Sequence, residues 1–100
     1  MNLRKDPPAS ASLTRTLKVT NPSGLHARPT SEIVRCAIRF RSEITIEANG
    51  RRCSAASIMD IMTADIRSGT ELVVTAVGVD AEKALQALEA CLTQLQEKGL

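Results

Sequence analysis

A β-hairpin in the middle of the chain constrains its fold more than any other sequence feature. In EITIEANGRRCSA (residues 43–55), isoleucines alternate with polar residues, and Asn49-Gly50 is the dipeptide most typical of a two-residue hairpin turn. A two-residue turn at this point pairs Ile46 with Cys53, so both side chains lie on one face. The sequence therefore predicts two antiparallel strands that contribute an apolar face to a core.

Strand and helix periodicities flank the hairpin on both sides. The alternation in LTRTLKVT predicts a strand whose apolar side includes Leu13. Pro29 is placed to open a helix with an apolar stripe that includes Ile38. SIMDIMTADI is typical of a short helix, and TELVVTAV is typical of a fourth strand. Asp80 is the expected N-cap of a long last helix that Gly99 ends.

The order of these elements is β-α-β-β-α-β-α, which predicts an α+β fold: one four-stranded antiparallel sheet with three helices on one face. The chain of 100 residues suffices for one such domain, which we place at residues 13–100. Residues 1–12, MNLRKDPPASAS, are expected to be a flexible tail. No apolar run follows that could form a signal-peptide core or a membrane span. We therefore expect a cytoplasmic protein without direct membrane insertion, and we also expect a monomer.

Composition narrows the classes of partner and cofactor. The three cysteines, Cys36, Cys53 and Cys91, are widely spaced and form no CxxC pair, which argues against a disulfide framework or a zinc site. We expect each to behave as a small buried hydrophobic residue. The net charge of +2 and the single aromatic residue, Phe40, give little support to nucleic-acid binding. The sequence thus predicts no metal, no cofactor and no nucleic-acid partner.

The only histidine, His26, lies in NPSGLHARPTSEI between a turn and the start of the first predicted helix. The first N–H groups of a helix have no intrahelical partner and bind phosphate readily. Arg28 adds a fork of donors suited to phosphate oxygens, and Ser23, Gly24 and Ala27 are candidate supporting residues. No GxxxxGK[ST] loop is present, so other proteins would supply and remove a phosphoryl group. A solvent-exposed loop histidine is the alternative interpretation.

Two stretches, TLKVTNPSGLHARPTSEIV and ANGRRCSAASIMDIMTADIRSGTELVV, carry a resemblance to a known family. They are similar to the active-site segment and the regulatory-serine segment of HPr, the histidine-containing phosphocarrier of the bacterial phosphoenolpyruvate:sugar phosphotransferase system. The resemblance implies an HPr-like open-faced β-sandwich. It also implies that enzyme I, charged by phosphoenolpyruvate, phosphorylates His26 on Nδ1, that Arg28 stabilises the phosphoryl group, and that IIA proteins receive it.

Ser57 has two interpretations. The pattern S-x-x-D at the start of a short helix is typical of a capping serine. The family resemblance instead implies a regulatory site that HPr kinase/phosphorylase modifies. Asp60 stands where this family usually has glycine, and Ala56 stands where lysine is common. A carboxylate so close disfavours a phosphoserine, so the sequence leaves the choice open.

Ile58, Met59 and Met62 form an apolar stripe on the same short helix. Such a stripe usually belongs to the core. The resemblance implies instead that part of it meets enzyme I and IIA proteins, and methionine suits a surface with several partners. We expect Ile58 and Met59 to be partly exposed and Met62 to lie nearer the core.

Arg28, Arg35 and Arg39 are predicted to lie on one face of the first helix, because their positions fall within roughly 40° of one another at 100° per residue. A solvated face softened by Glu32 is the ordinary meaning of this pattern. Beside His26, the stripe is also suited to steering an acidic partner.

Other functions are weaker alternatives. A regulatory HPr paralogue, whose phosphorylation state controls other proteins, would use the same His26 chemistry. A small ligand-binding or RNA-binding module would share only the element pattern. A cysteine enzyme lacks a second histidine to activate its thiol. We therefore expect a phosphoryl carrier rather than an enzyme.

Overall fold

The computed structural model describes residues 12–100 and places seven elements in the predicted order. The predicted tail lies outside the described residues except for Ser12, which begins the first strand. Within the described part, no helix is long and apolar enough to cross a membrane. The strands are β1 (Ser12–Lys18), β2 (Glu43–Ala48), β3 (Arg51–Ser54) and β4 (Glu71–Val77), and the helices are α1 (Ala27–Ala37), α2 (Ile58–Met62) and α3 (Ala81–Glu97).

The four strands form one antiparallel sheet in the order β1-β4-β2-β3, which confirms the predicted fold class. The β2–β3 hairpin has the predicted register, with Ile46 opposite Cys53. Its turn residues Asn49 and Gly50 have φ values of 53° and 75°. Positive φ at both positions is what a type I′ turn requires, and this turn fixes the register.

The pairing of β1 with β4 brings two distant loops to one end of the sheet. Because the strands are antiparallel, the end of β1 lies beside the start of β4, with Lys18 opposite Glu71. Two backbone hydrogen bonds extend the pairing into the loops. The N–H of Val19 donates to the carbonyl of Thr70 at 2.9 Å, and the N–H of Gly69 donates to the carbonyl of Val19 at 2.7 Å. The loop before α1 therefore meets the segment before β4.

The core lies between the three helices and one face of the sheet. Along β4, Leu72, Val74 and Ala76 are buried and alternate with more exposed residues, as the period of a strand predicts. Two apolar residues that the pattern places in the core are exposed instead. Leu13 is exposed on an edge strand that has a neighbour on one side only. Ile38 is exposed because it is the C-cap residue of α1, beyond the last helical turn.

Helix α3 begins and ends at the predicted residues, but Asp80 has a different role from the one expected. Asp80 is the N-cap residue, yet its carboxylate makes no capping hydrogen bond to the helix. It accepts hydrogen bonds from the N–H of Arg41 and from the N–H and hydroxyl of Ser42. At the other end, the N–H groups of Gly99 and Leu100 donate to carbonyls of the last turn at 3.1 and 2.9 Å, in a Schellman motif.

Candidate functional site

His26 is the N-cap residue of α1, and its side chain is exposed. The helix starts at Ala27, two residues before Pro29, which lies in the first turn. The first backbone bond of the helix runs from the N–H of Thr30 to the carbonyl of His26 at 3.1 Å. Among residues 12–100, the N–H groups of Ala27 and Arg28 have no hydrogen-bond acceptor. An exposed imidazole and two free amides therefore share the positive end of the helix.

The loop that carries His26 is held by close backbone packing. Gly24 is buried with φ +66°, and a Cβ there would lie 2.4 Å from the carbonyl oxygen of Ile66 and 2.8 Å from the Cα of Arg67. The N–H of Leu25 donates to the Ile66 carbonyl at 2.9 Å. The buried hydroxyl of Thr30 donates to the Leu25 carbonyl at 3.0 Å. This packing fixes the position of His26 relative to the segment before β4.

His26 lines an open cleft of about 520 Å³ between its own loop and the segment that joins α2 to β4. Ser23 and Met62 line the same cleft, as do Asp65 and Arg67, which form an exposed ion pair at 3.1 Å. No local sequence pattern indicates Asp65 or Arg67 as site residues. Both are distant from His26 in sequence, and only the β1–β4 pairing brings them together.

Arg28 occupies the second position of α1, and its side chain is exposed. It lines a neighbouring cleft of about 280 Å³ together with Glu32 and Lys98, rather than the cleft of His26. The two residues thus share one helix end, while their side chains face different depressions. Lys98 is a further cation near this helix end, and no local sequence pattern indicates it.

Ser57 is the N-cap residue of α2, as the capping interpretation predicts. Its hydroxyl accepts a hydrogen bond from the N–H of Asp60 at 3.1 Å. The Asp60 carboxylate turns back and accepts a hydrogen bond from the N–H of Ser54 at 2.6 Å. Ala56 is exposed beside them. The serine hydroxyl and an acidic side chain therefore occupy the same short helix start.

Helix α2 presents an apolar surface beside the His26 cleft. Ile58 and Met59 are 38% and 81% exposed, as expected. Met62 is 41% exposed, so the expectation that it lies nearer the core is wrong. The helix has only five residues, and Ile61 alone among them is buried. Ile58, Met59 and Met62 are called the α2 patch below.

The predicted arginine stripe is shorter than the sequence indicates. Arg35 lies on α1, is exposed, and pairs with Glu32 at 3.7 Å. Arg39 is exposed but lies in the turn after Ala37, so it is not on the helix. Counting at 100° per residue fails there because the helix ends first.

Comparison with known proteins points to one family. A family profile described as "PTS HPr component phosphorylation site" matches residues 13–94. Phosphocarrier protein HPr of Mycoplasma capricolum is 44% identical over 71 residues, which is 71% of this chain and 80% of that protein. The HPr of Buchnera aphidicola from Acyrthosiphon pisum is 38% identical over 80 residues, which is 80% of this chain and 94% of that protein.

Solved structures agree with this assignment. The crystal structure of an HPr from Bacillus anthracis is 41% identical, covers 81% of this chain and 96% of its own, and superposes with a TM-score of 0.77. The solution structure of Crh, the Bacillus subtilis catabolite repression HPr, is 35% identical, covers 80% of this chain and 95% of its own, and has a TM-score of 0.60. Since the profile matches most of the described residues and the relatives exceed 30% identity, the chain belongs to the HPr family of phosphocarrier proteins.

Proposed function

We propose that this protein accepts a phosphoryl group on Nδ1 of His26 from phosphoenolpyruvate-charged enzyme I and passes it to IIA components of the sugar phosphotransferase system. The observation that carries the proposal is the exposed imidazole at the N-cap of α1, beside the free amides of Ala27 and Arg28. The protein acts as a carrier, because its partners supply both the donor and the final acceptor.

The transfer is a displacement at phosphorus. The Nδ1 lone pair attacks the phosphorus of the donor, and a new N–P bond forms as the bond from phosphorus to the donor group breaks. The donor group keeps that electron pair. Transfer onward reverses the roles, with Nδ1 of His26 as the leaving group. Free amides at a helix start stabilise the negative phosphoryl oxygens in both directions.

Residues around His26 support the phosphoryl group in this proposal. Arg28 supplies a guanidinium that turns toward His26 once a dianion is present, which its exposed position permits. Ala27 offers a free N–H. Gly24 and Ser23 keep the preceding turn close to the ring, because the turn packs against the segment before β4.

The α2 patch and the basic side chains near α1 form the partner surface in this proposal. Exposed methionines beside the His26 cleft suit enzyme I and several IIA proteins in turn. Arg35 and Arg39 attract acidic partner surfaces and raise the rate of encounter. Direct binding of a membrane or a nucleic acid is not part of this function. We place the protein in the cytoplasm as a monomer.

A regulatory role is the second candidate. The similarity to Crh, which is described as a catabolite repression HPr, favours it. HPr kinase/phosphorylase would then modify Ser57, and the phosphorylation state would control other proteins. The Ser57 hydroxyl would first have to give up its hydrogen bond from Asp60, whose carboxylate repels a phosphate.

Labelled phosphoenolpyruvate and enzyme I test the carrier function. We expect wild type and the control Ser57→Ala to take up label that is acid-labile and base-stable, and His26→Ala to take up none. Addition of IIA proteins should then remove the label from wild type. Label on His26 that no IIA protein accepts would favour the regulatory role. Folded wild type that takes up no label with enzyme I of its own organism would overturn the proposal.

A further inference from the structure

Two of the three cysteines lie in a cleft between α1 and α3. Cys36 is the penultimate residue of α1, and Cys91 lies in the second half of α3. The prediction that all cysteines are buried is wrong for these two, which are partly exposed, whereas Cys53 is buried. Both line an open cleft of about 340 Å³ that a small reagent in solvent can enter.

Cys91 contacts the helical turn of α1 that contains Cys36. The Cys91 thiol donates a hydrogen bond to the carbonyl of Glu32 at 3.8 Å. Glu32 lies four residues before Cys36, so its carbonyl points along the helix toward the N–H of Cys36. Cys91 is therefore seated on the helical turn that ends at Cys36. Each thiol also affects the pKa of the other, lowering that of Cys36 and raising that of Cys91.

We propose that Cys36 and Cys91 form a reversible disulfide that links α1 to α3, with a low-molecular-weight disulfide such as oxidised glutathione as the oxidant. The thiolate of one cysteine attacks a sulfur of the oxidant, which forms a mixed disulfide and expels one glutathione thiolate. The thiolate of the second cysteine then attacks the protein sulfur of the mixed disulfide and expels the other. Two protein thiols are oxidised, and one glutathione disulfide is reduced to two glutathione molecules.

The charges around the two thiols indicate which of them attacks the oxidant first. Burial raises the pKa of both thiols, and it raises that of Cys91 to about 11. The Arg39 guanidinium opposes this rise at Cys36, whereas the charge of Glu32 adds to it at Cys91. Cys36 is therefore the first nucleophile. Because the thiolate is scarce at neutral pH, the rate of oxidation should rise by about tenfold per pH unit between pH 7 and pH 8.

The disulfide would close a loop that contains β2, β3, α2 and β4 but not the His26 segment. Closing a loop of this size restricts the unfolded chain and should raise the thermal unfolding midpoint by on the order of 10 °C. His26 and the free amides at the start of α1 lie outside the loop. The inference therefore does not depend on the proposed carrier function, and each can fail without the other.

Oxidation of the full chain with oxidised glutathione at pH 8 tests the proposal. We expect the intact mass to fall by two hydrogen atoms, one of the three thiols to react with an alkylating agent once the chain is unfolded, and peptide mapping to join Cys36 to Cys91. Dithiothreitol should reverse all three changes together with the rise in unfolding midpoint. The control Cys53→Ala should still form the link, whereas Cys36→Ser should not.

Two results would overturn the proposal. One is a wild-type chain in which Cys36 and Cys91 both remain open to alkylation after prolonged oxidation. The other is stable glutathione adducts on the two cysteines without a link between them. Peptide mapping of wild type decides between these outcomes even where a variant folds poorly.

Discussion

The Asp80 carboxylate, at the start of α3, forms hydrogen bonds with the turn after α1. The carboxylate accepts hydrogen bonds from the Ser42 hydroxyl at 2.5 Å and from the N–H groups of Arg41 and Ser42 at 2.9 Å each. These bonds, with the Ser42 hydroxyl foremost, lower the pKa of Asp80 from its usual value of 3.8. A carboxylate whose pKa is lower in the folded chain stabilises the fold above its unfolded pKa. This stabilisation is lost as the pH falls through the lower, folded pKa.

Replacement of Asp80 by asparagine therefore has a pH-dependent effect on stability. We expect Asp80→Asn to unfold at lower urea than wild type at pH 7 and pH 5, and the difference to shrink below about pH 4. The difference is measured as the urea unfolding midpoints of wild type and Asp80→Asn at pH 7, 5 and 3. The control is Asp65→Asn, because the exposed carboxylate of Asp65 bonds, among residues 12–100, only to the Arg67 side chain. A difference between wild type and Asp80→Asn that stays constant down to pH 3 would contradict the assignment.

The charge of Asp60 affects the phosphorylation of Ser57. The Asp60 carboxylate lies within the same helix start and disfavours a phosphate on Ser57. Asp60→Asn keeps an oxygen to accept from the N–H of Ser54 and removes the charge. We expect HPr kinase/phosphorylase to modify this variant roughly fivefold faster than wild type, the factor that about 1 kcal/mol of repulsion represents. Asp60→Glu, which keeps the charge, is the control and should match wild type. Equal rates for the asparagine variant and wild type would show that the charge does not matter.

Some residues of the site are predictable from local sequence and others are not. Ser57 is identified as a helix N-cap because capping depends on a few neighbouring residues, whereas His26 is predicted only to lie near the start of α1. Asp65 and Arg67 join the His26 cleft only through the pairing of β1 with β4. The Asp80 carboxylate has the same kind of distant partner, because it bonds to the turn before β2 rather than to its own helix. Tertiary contacts decide where these side chains lie and which groups they bond to, so local sequence does not predict them.

At the scale of elements, the loop before α1 is fixed by its contact with the segment before β4. Gly24 and Gly50 have similar backbone angles, with φ of +66° and +75°. A Cβ at Gly24 would meet the Ile66 carbonyl oxygen at 2.4 Å, whereas a Cβ at Gly50 would meet nothing within 4 Å. A residue with a side chain would therefore be strained by the positive φ at either position. Only at position 24 would its Cβ also clash with neighbouring backbone atoms.

Alanine substitutions at these two glycines distinguish the energetic cost of backbone strain from the cost of a steric clash. We expect Gly50→Ala to lower the free energy of unfolding by about 1 kcal/mol, the cost of a left-handed alanine. Gly24→Ala should lower it by at least about 2 kcal/mol more, because backbone atoms must move apart. It should also slow phosphoryl acceptance by His26, whereas Gly50→Ala should not. Urea denaturation and the enzyme I assay measure the two effects, and equal losses of stability would contradict the role of the Gly24 contact.

The limits of helix prediction are visible at both ends of α1. The helix begins at Ala27 rather than Pro29, since proline is also accepted within the first turn. It ends at Ala37, so Ile38 and Arg39 leave the helical faces that their spacing assigns to them. Periodicity identifies an element well, but its last turn depends on the chain that follows.

At the scale of the whole molecule, β4 is the strand that joins β1 to the β2–β3 hairpin in one sheet. It comes last among the strands and lies between β1 and β2. The local hairpin signal predicts the β2–β3 pair, and the element order predicts an antiparallel sheet. Neither predicts that β4 enters the middle of the sheet, because that depends on pairing between distant segments. This insertion also creates the cleft at His26.

One face of β4 is buried against the helices and the other is more exposed. A matched pair of variants measures how much each face contributes to stability. Val74 faces the helices and is 2% exposed, whereas Thr75 lies on the opposite face, with its hydroxyl 3.2 Å from that of Thr14. Val74→Thr places an unpaired hydroxyl in the core and should lower the free energy of unfolding by about 1–3 kcal/mol. Thr75→Val should change it by no more than about 0.5 kcal/mol, since the hydroxyl pair that it removes is exposed.

Urea denaturation of both variants compares the faces directly. The two substitutions exchange the same pair of nearly isosteric side chains in opposite directions at adjacent positions, so strand propensity largely cancels. A larger loss for Val74→Thr is expected because, within residues 12–100, helices cover only one face of the sheet. A larger loss for Thr75→Val would mean that a second layer covers the open face in solution. If that layer is a second copy of the chain, its effect on stability would depend on protein concentration.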